Sequence, residues 1–373
     1  MTLHWSPQQE NAIAKIGAWY RSSASDQVMF LGGYAGTGKT TLTRHLVEEM
    51  GAKPCYGAYT GKAAQVMRNS GCDEAGTLHS KVYKFRETGG RFVKTINRGK
   101  DSPIREADIV VVDECSMVDG DLGGDILSFG KPVLVLGDPM QLPPVKGGGF
   151  FTGRDPDIML TEIHRQAEGD PIIRLATDVR EGRGITFGTY GKSAVVTGQE
   201  FKAGYDIEAF DQILVGRHPT RIKFNTRFRQ IKDYAASFPQ PGERLVCLAN
   251  DRDKQIFNGG MFEVIDSRFM SEDRGIAMSV KSEDDPSRGE IKVFTREEFF
   301  TGARMPDRSE LRGTQQFAFG YTLTVHKAQG SQWSRVVLVD EAFGTEEDRI
   351  RWLYTGITRA QEQIVIIRKG AKS

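Results

Sequence analysis

A short aliphatic run that passes directly into a glycine-rich turn and then into a helix is the feature that most limits this chain. Val28-Met29-Phe30-Leu31 is followed by Gly33-Tyr34-Ala35-Gly36-Thr37-Gly38-Lys39-Thr40, which fits G-x-x-x-x-G-K-[ST]. Beyond it, Leu42, Leu46 and Val47 recur at helical spacing between Thr40 and Met50. The glycines let backbone N–H groups turn inward, and the helix N-terminus adds a positive dipole, so the turn cradles phosphate oxygens. In such a loop Lys39 reaches the β- and γ-phosphates and the Thr40 hydroxyl faces Mg²⁺. An empty loop of this kind leaves Lys39 exposed, and folding is then not expected to depend on it.

The alternation continues. Ile109-Val110-Val111-Val112 and Val133-Leu134-Val135-Leu136 are two more buried-strand runs. Near-continuous aliphatic strands separated by helices imply a parallel sheet covered on both faces. The pattern returns in Ile213-Leu214-Val215, Val336-Val337-Leu338-Val339 and Ile364-Val365-Ile366-Ile367, with helical stretches at about 220–236 and 346–357. The 373 residues are enough for two such cores. Two stretches break the rhythm. Lys81 to Glu106 holds two β-prone runs around Gly89-Gly90 and reads as a hairpin. From Gly242 to Gly313, after Pro239-Gln240-Pro241, short strands and an Asn258-Gly259 turn suggest a small barrel-like β insertion.

Val111-Val112-Asp113-Glu114 ends a buried strand in two carboxylates. After a phosphate loop, Asp113 suits a hold on Mg²⁺ and Glu114 is free to polarise an attacking water, which favours hydrolysis. Gln141, in Leu136 to Pro143, either hydrogen-bonds a γ-phosphate or the water, or belongs to a plain proline-rich loop. The four cysteines form no C-x-x-C pair, so a zinc, iron–sulfur or disulfide framework is not expected. No apolar run approaches the ~20 residues that cross a bilayer. A soluble protein of the cytoplasm, without membrane partners, is expected.

The net charge of +1 does not advertise nucleic-acid binding, yet it averages over faces. The 81–106 hairpin carries eight basic residues against three acidic ones. Arg217 to Lys232 carries six basic residues and no acid. Both are footprints expected of phosphate binding, and both are also what solvated faces look like. Phe85 and Phe92 sit among the hairpin charges, where they either stack on a base or pack the hairpin onto its neighbour.

With these blocks in place the chain resembles the superfamily-one helicases of the B branch. It is similar to the RecD-like enzymes and especially to the phage Dda type. Ser6-Pro7-Gln8-Gln9 resembles the adenine-reading Q motif, with Gln9 as reader. Gly33 to Thr41 matches motif I, so the resemblance assigns Gly33, Ala35, Gly36, Thr37, Gly38, Lys39, Thr40 and Thr41 to ATP. Ala58 to Ala64 resembles motif Ia, where Tyr59 stands in place of the usual proline, and Thr77-Leu78-His79-Ser80 the short motif after it. Asp113 to Val118 is similar to motif II, and Gly137 to Pro144 to motif III. Leu160 to Arg165 resembles the segment that sends a first arginine, Arg165, to the γ-phosphate. Tyr321 to Ser331 is similar to motif V, and Leu353 to Ala360 to motif VI, with Arg359 as arginine finger.

The resemblance implies two RecA-like parallel-sheet motor domains. Residues 1–166 form domain 1A, carrying the 81–106 hairpin as a strand-separating pin (1B). Residues 167–241 plus 314–373 form domain 2A, and 242–313 an SH3-like β insertion (2B). It implies catalytic roles for Lys39, Asp113, Glu114, Gln141, Arg165 and Arg359, with Mg²⁺ on Thr40 and Asp113 and with Gln329 and Gly330 near the nucleotide. Thr60, Lys62, Thr77, His79, Phe85, Phe92, Arg217, Arg221, Thr324, His326 and Lys327 are the implied DNA contacts. The expected activity is ATP-driven 5′-to-3′ translocation on single-stranded DNA and unwinding of forks, by a monomer-capable motor without a relaxase or nuclease segment. A setting in phage or bacterial replication or recombination follows, in the host cytoplasm if phage-encoded, with proteins of those processes as partners. An RNA helicase of the related Upf type and an ATP-dependent single-strand clamp remain the alternatives.

Overall fold

Every aliphatic run named above lies in a parallel sheet of the computed structural model. The structure describes residues 4–370, apart from 23–25, 89–90, 144–148, 163–168, 252, 255, 272–274, 286–287, 302–306 and 308–309. The chain divides into two units, Met1–Gly184 with Glu346–Thr358, and Ile185–Thr345 with Arg359–Ser373.

In the first unit the strands are β1 (Val28–Gly33), β2 (Pro54–Ala58), β3 (Gly76–Thr77), β4 (Tyr83–Thr88), β5 (Arg91–Ile96), β6 (Ile109–Asp113), β7 (Val133–Gly137) and β8 (Ile158–Leu160). Six of them form a parallel sheet in the order β3-β2-β6-β7-β1-β8. Alternate residues of the central strands feed two cores. Leu31, Val111, Leu134 and Leu136 pack with Ile16, Leu42 and Leu46 on one face. Phe30, Val110, Val112 and Val135 pack with Leu122 and Ile126 on the other. Burial on both faces is why these strands read as unbroken aliphatic runs. The helix Pro7–Arg21 opens with a Ser6/Gln9 capping box and Pro7 in its first turn.

The β4–β5 hairpin pairs Tyr83 with Ile96 and Thr88 with Arg91. Phe85 and Phe92 lie in this ladder, opposite Lys94 and Glu87. Their side chains, like residues 89–90, fall outside the described part of the molecule. Several hairpin-region cations have local partners. Lys84 pairs with Asp101, Lys81 donates to the Glu74 carbonyl, and Arg98 to Ser128.

In the second unit the strands are β9 (Gly188–Tyr190), β10 (Ser193–Thr197), β11 (Gln212–Val215), β12 (Arg244–Cys247), β13 (Met261–Met270), β14 (Gly275–Ser282), β15 (Ile291–Arg296), β16 (Phe317–Phe319), β17 (Thr322–Thr324), β18 (Trp333–Val339) and β19 (Ala360–Arg368). One sheet has the order β17-β11-β18-β19-β10-β9, parallel but for β9. The other is antiparallel, in the order β15-β14-β13-β12-β16. Because β16 belongs to it, the antiparallel region extends past the boundary expected at 313, to Phe319.

A buried ion pair anchors this second sheet. Glu243, fully buried, accepts from Arg229 Nε and Nη2 at 2.7 and 2.9 Å, and Arg229 lies over the Phe319 ring. Removing one partner of such a pair strands the other, at a cost of about 3–5 kcal/mol. Glu243→Ala should therefore lower the urea midpoint of the unit sharply, and an unchanged midpoint would mean the pair adds nothing to the anchor.

The grouping of two helices differs from the sequence expectation. The helices Pro171–Arg180 and Glu346–Ile357 pack on one another and belong with the first unit, whereas the sequence reading gave both to the second domain. Their amphipathic spacing announces a buried face but not which sheet that face serves.

Candidate active site

The phosphate loop links β1 to the helix Lys39–Glu49. Its last residue, Gly38, sits at φ +74° as the cap of that helix, a conformation that L side chains rarely adopt. The loop is braced from inside. Thr37 Oγ1 donates to the Tyr34 carbonyl at 2.9 Å, and Gln9 Nε2 donates to the Thr37 carbonyl at 3.1 Å. Gln9 Oε1 accepts from Ser6 N at 3.0 Å, so the reader expected from the Q motif is also a strut under the loop. Lys39 is half-buried, not exposed as the sequence suggested. Its Nζ donates to the carbonyls of Gly33 at 2.7 Å and Tyr34 at 3.1 Å. A folded-back ammonium satisfies its donors locally.

The parallel sheet brings the acids to the same edge. β6 ends in Asp113, whose Oδ2 accepts from Thr40 Oγ1 at 3.2 Å and whose Oδ1 accepts from Glu114 N at 2.8 Å. Burial, followed by the charge of Glu114, holds the Asp113 carboxyl well above the usual carboxylate range, against the opposing pull of Lys39 and Thr40. Thr40 and Asp113 thus present two hard oxygen donors side by side, the chemistry that Mg²⁺ takes. Glu114 adopts φ 53°, ψ 46°, a left-handed backbone that a non-glycine residue holds only where its surroundings impose it. Strain of this kind collects at functional positions.

β7 ends in Gly137, and Asp138 and Gln141 follow. Gln141 is buried, and its Oε1 has no hydrogen-bond partner among the described residues. A buried acceptor with an open valence suits a water or a protonated ligand atom. Asp138 is buried too. Its Oδ2 accepts from the Tyr354 hydroxyl at 2.5 Å and its Oδ1 from Met140 N at 3.0 Å. The same hydroxyl accepts from Ala35 N at 3.1 Å. Leu142 N donates to Thr355 Oγ1 at 2.9 Å. Asp138, Tyr354 and Thr355 lie inside blocks the sequence marked, but it did not single them out. Arg165 falls outside the described residues.

The expected nucleic-acid residues of this unit sit further along the same edge. Thr60 and Thr77 follow β2 and close β3, and each caps a short helix through its hydroxyl oxygen, to Ala63 N and Ser80 N. Lys62 lies in the first turn of the helix that Thr60 caps. His79 lies between the rings of Tyr59 and Tyr83, at 5.8 Å from each. Strand order therefore puts the phosphate loop and the Thr60/His79 group at different strands of one carboxyl edge, with Asp113 at the end of β6, and Glu114 just after it, between them.

In the second unit Val215 of β11 pairs with Thr324 of β17. Their neighbouring ends bring the start of the helix His218–Ile231 beside the turn Val325–Ala328, which Thr324 caps. Arg217 and Lys327 are exposed and His326 is half-buried. Arg221 is buried, and its Nε donates to His218 Nδ1 at 3.0 Å. Gln329 caps the end of the same turn, its amide donating to the His326 carbonyl, and Gly330 follows it. Arg359 is buried, its Nη1 donates to the Ser331 carbonyl at 3.2 Å, and its own carbonyl accepts from Trp333 N.

Comparison with known proteins adds to this geometry. The AAA domain family matches residues 4–200, and the UvrD-like helicase C-terminal domain matches residues 319–367. The ATP-dependent RecD2 DNA helicase of Deinococcus radiodurans is 27% identical over 369 residues, 91% of this chain and 47% of that protein. The ATP-dependent DNA helicase dda of phage T4 is 32% identical over 168 residues, 41% of this chain and 38% of that protein. The chain thus spans less than half the length of either. Among solved structures, Pif1 helicases at a forked duplex superpose with a TM-score of 0.62 at 19% identity, covering 98% of this chain and 92% of that one. A Bacteroides Pif1 bound to single-stranded DNA gives 0.58 at 18%, with the same coverage. At these identities the likeness is one of fold.

Proposed function

Because the chain belongs to the superfamily-1B helicases of the Pif1/RecD/Dda kind, we propose that it hydrolyses ATP to move 5′ to 3′ along single-stranded DNA and to open forks. The observation that carries the reading is the gathering of Lys39, Thr40, Asp113 and Glu114 at one phosphate loop, with Gln141 in a loop tied to it through the Tyr354 hydroxyl. On ATP binding the Lys39 ammonium exchanges its two loop carbonyls for phosphate oxygens. Glu114 takes the proton side of the attacking water, and Gln141 Oε1 accepts a hydrogen bond from the same water. Thr40 and Asp113 would hold Mg²⁺, which would supply positive charge to the phosphate oxygens. Arg359 and Arg165 supply the remaining positive charge, and Gln9, Gln329 and Gly330 line the nucleotide.

Single-stranded DNA runs past Thr60, Lys62, Thr77 and His79 of the first unit and past Arg217, Arg221, Thr324, His326 and Lys327 of the second. Arg221 supports this, since among the described residues its guanidinium meets an imidazole and no carboxylate. The 81–106 hairpin acts as the pin, with Phe92 ahead of Phe85, and the SH3-like 2B insertion lies between the halves of 2A. Replication or recombination is the setting, with proteins of those processes as partners.

Assays on forks with a 5′ tail, a 3′ tail or no tail test the reading directly, together with ATPase rates on matched DNA and RNA strands. DNA-stimulated turnover with unwinding of the 5′-tailed fork alone is the expected result. Unwinding from the 3′ tail overturns the direction. Stimulation by RNA alone makes this the Upf-type enzyme, and turnover without unwinding makes it a clamp.

A further inference from the structure

The Tyr354 hydroxyl joins two loops of the candidate site. It has one proton and two lone pairs. An amide N–H only donates, so the hydroxyl accepts from Ala35 N, in the phosphate loop, at 3.1 Å. Its proton therefore goes to Asp138 Oδ2 at 2.5 Å. The next residue of the same helix makes the second link, through Leu142 N to Thr355 Oγ1 at 2.9 Å. Asp138 and Leu142 bracket Gln141, so Tyr354 and Thr355 grip the loop on both sides of the glutamine. Tyr354 is 1% exposed and Thr355 fully buried, so these bonds form away from solvent competition.

The acid end of this relay is costly on its own. Burial raises the carboxyl of Asp138, and its ionised form is supported by the charge of Lys39, the Tyr354 hydroxyl and the Met140 amide. One of the three supports is the lysine of the phosphate loop, so the charge of Lys39 favours the ionised form of Asp138. The Gln141 Oε1 between the two grips has no partner among the described residues, so nothing else on that amide oxygen fixes it.

We propose that Tyr354 and Thr355 are positioning residues for ATP turnover, which hold the phosphate loop and the Gln141 loop in one arrangement so that Gln141 meets the attacking water. The proposal rests on the ATPase reading and extends it to two residues that do not touch the nucleotide. Loop position acts on the transition state more than on ground-state binding, so the loss falls on kcat.

Tyr354→Phe keeps the buried ring and removes only the hydroxyl. With saturating single-stranded DNA it should lower kcat about tenfold, the equivalent of one buried hydrogen bond in the transition state, while KM for ATP stays within about twofold. Thr355→Val should show the same split, and Thr355→Ser, which restores the acceptor, should recover most of the rate. Lys39→Ala is the control for the underlying reading. If Lys39→Ala turns over normally, the ATPase site itself is misplaced. If Lys39→Ala is dead and Tyr354→Phe matches the parent in kcat and KM, the positioning role is overturned. It is equally overturned if kcat falls only in step with the thermal midpoint and Thr355→Ser recovers nothing, since that is the signature of lost packing.

Discussion

Lys39→Ala should abolish ATP turnover, the largest effect expected of any substitution in this chain. The side chain bonds the Gly33 and Tyr34 carbonyls, so the variant also loses two charge-assisted bonds inside the loop. Hydrogen bonds to charged groups are worth about 1.5–3 kcal/mol each, which predicts a measurable drop in stability with the fold retained. The rate and the thermal midpoint should both be measured. Turnover near the parent rate would remove the nucleotide site from this loop, whatever the midpoint.

Arg359→Ala is the second. An arginine supplied to a phosphoryl transfer is worth about 10³–10⁵ in rate, so turnover should fall by that order while nucleotide affinity changes little. The structure adds a complication that the motif alone does not show. Arg359 is buried and donates to the Ser331 carbonyl, so its removal also leaves that acceptor one donor short. Arg359→Lys separates the two roles, because it keeps a donor for Ser331 but not the planar fork that matches phosphate oxygens. A lysine variant as slow as the alanine variant, with normal stability, marks a finger. Full activity in the lysine variant would make Arg359 a structural residue.

Much of the first unit was legible because its chemistry is local. The phosphate loop is contiguous, its flanking strand and helix are short and strongly patterned, and Asp113 and Glu114 directly follow an aliphatic run. Parallel strands buried on both faces announce themselves without a partner in view. What was not legible depends on contacts between distant parts of the chain. Tyr354 lies 216 residues from Asp138, and neither position carries a periodicity that names the other. The helix Glu346–Ile357 has a buried face, yet it is its packing on the helix Pro171–Arg180 and its bonds to Ala35, Asp138 and Leu142 that assign it to the first unit. Arg229 read as one more cation in a basic run, while the structure spends it on Glu243. Lys84 and Arg98 likewise counted toward a phosphate-binding surface that their partners reduce.

The chain passes between its two units three times, and the three joints are unequal in compliance. At 184–185 the joint includes Gly184 at φ +70°, and at 345–346 it follows Gly344 at φ +94°. Both are free of the Cβ that restricts backbone rotation. The third joint, Thr358 to Arg359, has no glycine and no spacer. Thr358 is tied back by its amide to the Tyr354 carbonyl and by its hydroxyl to the Thr355 carbonyl, and Arg359 is already pinned to Trp333 at the head of β18. One peptide bond spans the joint, with about 3.8 Å between its Cα atoms. Thr358 and Arg359 thus each carry hydrogen bonds to their own unit, with no residue between them. Lengthening that joint by two or three glycines would leave every named side chain in the chain and place free residues between those two sets of bonds.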